Sequence, residues 1–260
     1  MRDKKLSIVT TTYNCKDKLI ASLDSVVCKS NLEQIEHVFI DSLSSDGTLG
    51  NIKNYCSNAL YDTKVISEQD KGIYDGLNKG TRESMGDFIL VLHAGDLLTI
   101  DIDQVLDDIR INQESDFISY SGIFNDGSTR TKWSRVDYPL SIYNPALLHP
   151  CILIKRNILN YYKGYDLSYK VSADYHLLSK YFLDKKKNSK ISVVDKPLLE
   201  MESFGFSGTK SNFWIKKKEH LKIIKPAKFN LSKLRFYVRI IKQFLYFIII
   251  GYCGKLKNKK

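Results

Sequence analysis

The 260 residues are 43% hydrophobic and 27% charged, which is enough apolar content for one sizeable core and argues against a disordered chain. Fourteen Gly and 5 Pro exclude collagen-like and low-complexity classes, and five scattered Cys without a CxxC pair argue against a disulfide framework or structural zinc. The net charge of +11 is uneven: residues 209–260 hold 15 Lys/Arg against Glu219 alone (+14), and residues 1–208 hold 25 against 28 acids (−3). A near-neutral body with a basic end points to an anionic surface met by that end, not to nucleic acid.

Leu6 to Thr12 is a short apolar, β-branched run that reads as a buried strand. Lys16 to Val27 places Leu19, Ile20, Leu23, Val26 and Val27 at helical spacing. His37 to Ile40 and Lys64 to Ser67 are the next strands. Between them Asp46 is placed to cap a helix running to about Tyr55. Ile73 to Met85 is a helix, and Asp87 to Leu92 is apolar enough to be a central strand. This strand–helix alternation predicts a parallel α/β sheet with helices on both faces, whose ligands bind at the carboxyl ends of the strands.

Beyond Asp96 the pattern loosens. Ile102 to Ile111 reads as a helix, Phe117 to Tyr120 as a strand, and Thr129 to Val136 as an edge strand or hairpin. Cys151 to Ile154 is a further strand, Ala173 to Leu183 a helix, and Ile191 to Val194 and Leu198 to Met201 are two short strands. No signal peptide is expected, since only Leu6 to Val9 is strongly apolar near the start. Phe244 to Cys253 is too short to cross a membrane by itself.

Four polar clusters follow the first four strands: Thr11 to Asn14, Asp41 to Thr48, Ser67 to Gly72, and His93 to Asp96. A parallel sheet brings all four to one crevice. Asp41, Asp70 and Asp96 at strand ends are more than a set of helix caps. Asp75, Asn78, Lys79 and Arg82 share one helix face, either as a solvated i,i+4 surface or as groups facing a ligand.

The stretches TTYN, IDSLSSDGT, SEQDKGIYDGLNKG, GDFILVLHAGD and SADYHLL, in this order, resemble the family 2 nucleotide-sugar glycosyltransferases with the glycosyltransferase-A fold. The stretch from Ser67 to Asp96 resembles bacterial capsule, colanic-acid and O-antigen transferases. The likeness covers about residues 5–205 and implies a mostly parallel, Rossmann-like sheet flanked by helices. It implies that Thr11 and Tyr13 flank a nucleoside and that Asp41 accepts from a base imide N–H, which favours a UDP-type donor. Glu68, Asp70, Asn78, Lys79 and Gly95 then contact the donor. Asp96 matches the last acid of the family's metal-binding DxD and implies Mg²⁺ or Mn²⁺. This chain departs from that pattern by carrying Ala94 and Gly95 where many members have acids. Asp174 matches the catalytic base of an inverting transfer, or else caps its helix. His149 matches a position near the active site, and Phe204 to Gly208 a Gly/Ser-rich closing loop.

From Leu231 an apolar stripe at three- and four-residue spacing carries Lys and Arg off its edge, which reads as an interfacial amphipathic helix or as a helix packed on its own domain. The expectation is therefore a catalytic domain over 1–208 and a basic, membrane-associating tail over 209–260. The enzyme would sit peripherally on the cytoplasmic face of a bacterial inner membrane and glycosylate a lipid-linked glycan. The rival readings are a nucleotidyltransferase on a similar fold, which TTYN disfavours because it lacks a Gly-rich phosphate loop, and a non-catalytic adaptor driven by the basic tail.

Overall fold

The computed structural model describes residues 4–133, 147–184, 190–202, 210–225 and 237–238. Its strands are β1 (Leu6–Thr12), β2 (Ile35–Asp41), β3 (Asp62–Ser67), β4 (Phe88–Val91), β5 (Leu97–Leu98), β6 (Phe117–Asn125), β7 (Arg130–Trp133), β8 (Ile152–Lys155) and β9 (Ile191–Glu202). The helices are α1 (Lys16–Asp24), α2 (Thr48–Asn58), α3 (Ile73–Glu83), α4 (Ile102–Ile111), α5 (Arg156–Tyr161), α6 (Ala173–Leu183) and α7 (Lys210–Ile224).

The strands form one sheet in the order β3-β2-β1-β4-β8-β6-β9-β5, with β7 paired to β6. The parallel arrangement expected from the alternation holds for β3, β2, β1 and β4. Beyond β4 the sheet is mixed: β8 runs antiparallel to both β4 and β6, whereas β9 runs parallel to β6. The second half also carries long connecting helices, α4 between β5 and β6 and α6 between β8 and β9, so a crossover helix permits parallel pairing without dictating it.

Successive residues of the central strands point to opposite faces. Val9, Ile89, Val91, Ile152 and Ile154 pack against Leu77 of α3, Ile158 of α5, Leu177 and Leu178 of α6, and Ile223 and Ile224 of α7. Ile8, Leu90, Ile118 and Leu153 pack against Ile102, Val105, Leu106 and Ile109 of α4. Leu19, Leu23, Phe39 and Ile52 fill the space between α1, α2 and β2. Helices thus cover both faces, and β4 is interior, as its composition predicted.

Several elements differ from expectation, among them β5, whose two residues are too few to show a pattern. The two short strands before residue 202 are one strand, β9, whose register against β6 slips between Tyr120 and Gly122. The slip absorbs Asp195 and Lys196 before Pro197 and Leu198 after it, so the strand continues through a stretch that breaks the apolar pattern. The helix α5 is absent from the sequence reading because its six residues complete too few turns to show a period. The helix α7, expected to begin a separate tail, docks on the domain. Ile224 is 0% exposed, Glu219 accepts the backbone N–H groups of Lys170 and Val171 at 2.6 and 3.1 Å, and His220 stacks on Tyr175. The expected boundary at residue 208 therefore does not part α7 from the core. The Phe204 to Gly208 loop, the apolar run 244–253 and nearly all of the stripe from Leu231 lie outside the described residues.

Candidate active site

The carboxyl ends of β1, β2, β3 and β4 meet at one edge, and the four polar clusters meet with them. Asp41 is the knot. Its carboxylate is fully buried and accepts from Thr12 Oγ1 (3.0 Å), Ser44 N–H (3.0 Å), Ser44 Oγ (2.5 Å) and Ser67 Oγ (2.8 Å). A carboxylate offers about four lone-pair sites. All four are engaged by protein donors, so Asp41 joins the ends of β1, β2 and β3 and shows no free acceptor for a base. Asn14, with φ of +46°, does not cap α1. Its side chain accepts from Ser45 N–H at 2.8 Å and locks the first cluster to the second. Asp46 is not the N-cap of α2, which is Gly47; from one residue earlier it accepts from Thr48 N–H and Oγ1, and it also holds Lys16 N–H at the start of α1.

Above this knot Tyr13 is 67% exposed and Thr11 is half-buried, so the aromatic face that a planar base requires is open. Asp70 accepts from Gly72 N–H at 2.8 Å and shapes the turn into α3. Two of the residues expected at the donor brace loops in this structure. Lys79 Nζ pairs with Glu68 at 2.8 Å and donates to the Gln69 carbonyl at 2.7 Å, clamping the loop before α3. Asn78 donates to the Tyr165 carbonyl and accepts from Tyr165 N–H, both at 2.8 Å, which ties α3 to the loop before α6. Helical spacing alone does not distinguish a ligand-facing amide from one that holds a neighbouring loop.

Asp96 closes the turn after β4, with its N–H on the His93 carbonyl at 3.0 Å. Gly95 has φ of +101°, a left-handed conformation that favours glycine over the acid many relatives of this motif carry. Burial and the nearby Glu202 charge push the Asp96 carboxyl up to about 7, with Lys18 opposing. The register of β5 on β9, Leu97 opposite Glu200, brings Glu202 to this turn. Lys18 of α1 pairs with Glu202 at 2.6 Å. Two acids meeting here with one ammonium are a place where a divalent cation would relieve charge repulsion. Among the described residues no group of three His, Cys, Asp or Glu forms a metal cluster. One or two carboxylates suffice when a diphosphate supplies the remaining oxygens, so the residues present fit such an ion. A cavity of about 390 Å³ opens beside Asp96, lined by Gly95, Asn125, Asp126, Glu200 and Glu202.

Asp174 lies in the first turn of α6 but does not cap it; it accepts from Tyr74 Oη at 3.1 Å. Its charge acts on His93, His149, Tyr165 and His220. Burial holds all three imidazoles below their ordinary value, His93 down to about 4 and His220 to about 3, with His149 also depressed. His149 feels the Asp174 charge and has Nε2 hydrogen-bonded to Tyr165 Oη at 2.8 Å. The imidazole of His93 feels Asp174 while its backbone holds Asp96, so this residue joins the two acids. Sequence reasoning passed over Tyr74, Tyr165, Lys18 and Glu202. Only Tyr74 carries a signal, its place inside IYDGLNKG. The other three reach the site by tertiary contact alone.

The family described as Glycosyl transferase family 2 matches residues 7–180. A PGL/p-HBAD biosynthesis glycosyltransferase of Mycobacterium bovis is 29% identical over 173 residues, 65% of this chain and 66% of that protein. The chain thus spans just under two thirds of that relative's length. Glycosyltransferase YfnE of Bacillus subtilis is 30% identical over 121 residues, 46% of this chain and 30% of its own. In fold, S. aureus TarS 1–349 in complex with UDP superposes with a TM-score of 0.64 at 18% identity, covering 88% of this chain and 68% of that one. Mannosyltransferase PcManGT from Pyrobaculum calidifontis, in complex with GDP-Man and Mn²⁺, gives 0.61 at 16% identity, covering 88% and 67%.

Proposed function

The chain belongs to glycosyl transferase family 2, and within that family we propose that it is an inverting transferase, moving a sugar from a nucleoside diphosphate to a hydroxyl of a lipid-linked glycan in bacterial surface polysaccharide synthesis. The observation that supports this reading is that His93, just after β4, holds the Asp96 N–H on its carbonyl and feels the Asp174 charge on its imidazole. In this reading Asp96 serves the leaving group and Asp174 the attacking oxygen.

Thr11, Tyr13, Asp70 and Gly95 are the donor-facing groups, and Asp41 holds them in register. Glu68, Lys79 and Asn78 act on the donor through the loops they brace. The donor is a nucleotide sugar, with a uridine type favoured; TarS, of this fold, was solved with UDP and PcManGT with GDP-Man, so the panel below includes both. Asp96 would hold a Mg²⁺ or Mn²⁺ ion with the diphosphate. Such an ion supplies Lewis acidity to the departing nucleoside diphosphate. Asp174 takes the acceptor's hydroxyl proton as that oxygen attacks the anomeric carbon and the bond to the diphosphate breaks. Burial keeps His93 and His149 uncharged, so no positive imidazole faces Asp174.

The chain's charge supports an acceptor at the membrane. Past residue 225 there are nine Lys/Arg and no acid, which suits the anionic cytoplasmic leaflet. Among the described residues no helix is long and apolar enough to cross a membrane. The decisive experiment is a panel of nucleotide sugars screened for Mn²⁺-dependent thermal stabilisation and for release of the nucleoside diphosphate. A donor at 100 times its dissociation constant adds ~2.7 kcal/mol. A flat panel, with no release in the presence of Mn²⁺, would sink the reading.

A further inference from the structure

Tyr74, in the first turn of α3, holds its hydroxyl 3.1 Å from Asp174 Oδ1 and 2.9 Å from the Val171 carbonyl oxygen. A phenol carries one proton and can also accept. It therefore serves one of these two acceptors at a time. We propose that Tyr74 is the positioning residue of the base, donating to Asp174 while the carboxylate is ionised and to the Val171 carbonyl once Asp174 is protonated. This rests on the reading of Asp174 as the base.

The proton balance is simple. The acceptor's O–H bond breaks and its proton passes to Asp174. Tyr74 then turns its own proton to Val171 and accepts the new one from Asp174. Tyr74 neither gains nor loses a proton, so both states of the base keep a hydrogen bond.

The surroundings suit this role. The Tyr74 ring packs on that of Tyr165 with centroids 5.6 Å apart. The start of α3 is pinned from the donor side: Asp70 holds Gly72 N–H at 2.8 Å and Asp75 holds Lys71 N–H at 3.0 Å. A single helical turn thus links the donor loop to the base. Burial, with the Asp174 charge, pushes the Tyr74 hydroxyl far above its ordinary range, so it remains a donor at working pH. The other groups facing Asp174 are His93 after β4, His149 before β8, Tyr165 before α6 and His220 on α7. Burial keeps the three imidazoles uncharged, so none of them competes with Tyr74 as a positive neighbour of the carboxylate.

Tyr74→Phe keeps the ring and its packing and removes only the hydroxyl. Losing a donor to the ionised form raises an acid's pKa. A ¹³C-carboxyl NMR titration of the full chain, with Asp174→Asn assigning the resonance, should show the Asp174 titration moved upward in Tyr74→Phe relative to the parent. With UDP-N-acetylglucosamine as the probe and water as the acceptor, UDP release should lose about 10- to 100-fold in kcat, the usual worth of a hydrogen bond to a charged group, with KM unchanged. Replacing Tyr74 by 3-fluorotyrosine, a stronger donor that preserves the fold even if Phe does not, should move the Asp174 titration down. An Asp174 titration unmoved by either change overturns the proposal, as does a loss of kcat matched by a rise in KM. Full UDP release by Asp174→Asn would overturn the base reading itself. An inactive Asp174→Asn beside a fully active Tyr74→Phe would overturn the Tyr74 role alone.

Discussion

Asp96 folds with its proton retained, because its folded value of about 7 lies above the ordinary carboxylate range. Between about pH 4 and 7 the folded chain therefore holds a proton that the unfolded chain has lost, and stability falls as pH rises through that window. Asp96→Asn is neutral in both states. It should flatten this part of the curve, matching the parent near pH 4 and melting higher than it at pH 8. Thermal melts across that range check it, and a slope that survives the substitution would assign the titration to another group. The same variant should lose the stabilisation that UDP with Mn²⁺ confers on the parent. Asp174→Asn, by contrast, should keep that stabilisation and lose about 10²–10⁴ in turnover, the usual worth of a positioned base. Equal losses of donor affinity and turnover would make Asp174 a donor ligand.

At the scale of elements, α3 decides the geometry, since it carries Tyr74 toward the base and packs along β1. Asn78→Ala removes both hydrogen bonds to the Tyr165 backbone. It should cost about 1–3 kcal/mol of stability through the polar groups left unpaired, while UDP affinity stays close to the parent's. Urea denaturation beside calorimetric UDP titration separates the two. A stable variant with weak UDP binding would restore Asn78 as a donor contact. Gly80 is where α3 comes closest to β1: a Cβ there would lie 2.4 Å from Val9 Cγ1. Gly80→Ala should therefore destabilise by about 1–3 kcal/mol as α3 is forced outward, and UDP release should fall with it. Wild-type stability would mean that Val9 repacks without moving the helix.

For the whole molecule, the docking of α7 separates two parts of the basic C-terminal region. A chain ending at Lys225 keeps Ile223, Ile224 and the Glu219 bonds to residues 170 and 171, and should fold and release UDP. A chain ending near Ser207 loses them and should unfold, because two buried isoleucines leave the core that also holds α6. Circular dichroism melts distinguish the two. The nine cationic residues past 225, at about 1 kcal/mol each near an anionic surface, should carry the membrane attachment. The full chain should sediment with anionic vesicles at low salt and release as salt screens the attraction, whereas the chain ending at Lys225 should bind far less. Equal sedimentation of both would move the membrane contact onto α7 or the body.

How much of this was legible beforehand follows from the range of each interaction. Apolar runs, helical spacing and strand-end acids are local patterns. They suffice for the α/β order through β4, for α4 and α6 with their bounds, and for the gathering of residues 11–14, 41–48, 67–72 and 93–96 at one edge. A strand end also marks Asp96, whereas Asp174 is marked only by the likeness of SADYHLL to a family motif. What a side chain does once it arrives depends on partners far along the chain. Asp41 becomes a knot because Thr12 and Ser67 arrive from neighbouring strands, and Asn78 becomes a brace because Tyr165 lies 87 residues away. Lys79 is taken by Glu68, and Glu202 meets Asp96 only through the pairing of β9 with β5. The antiparallel second half, the slip in β9 and the docking of α7 belong to the tertiary structure for the same reason. Each is settled by which surfaces bury together, a choice that composition and periodicity leave open.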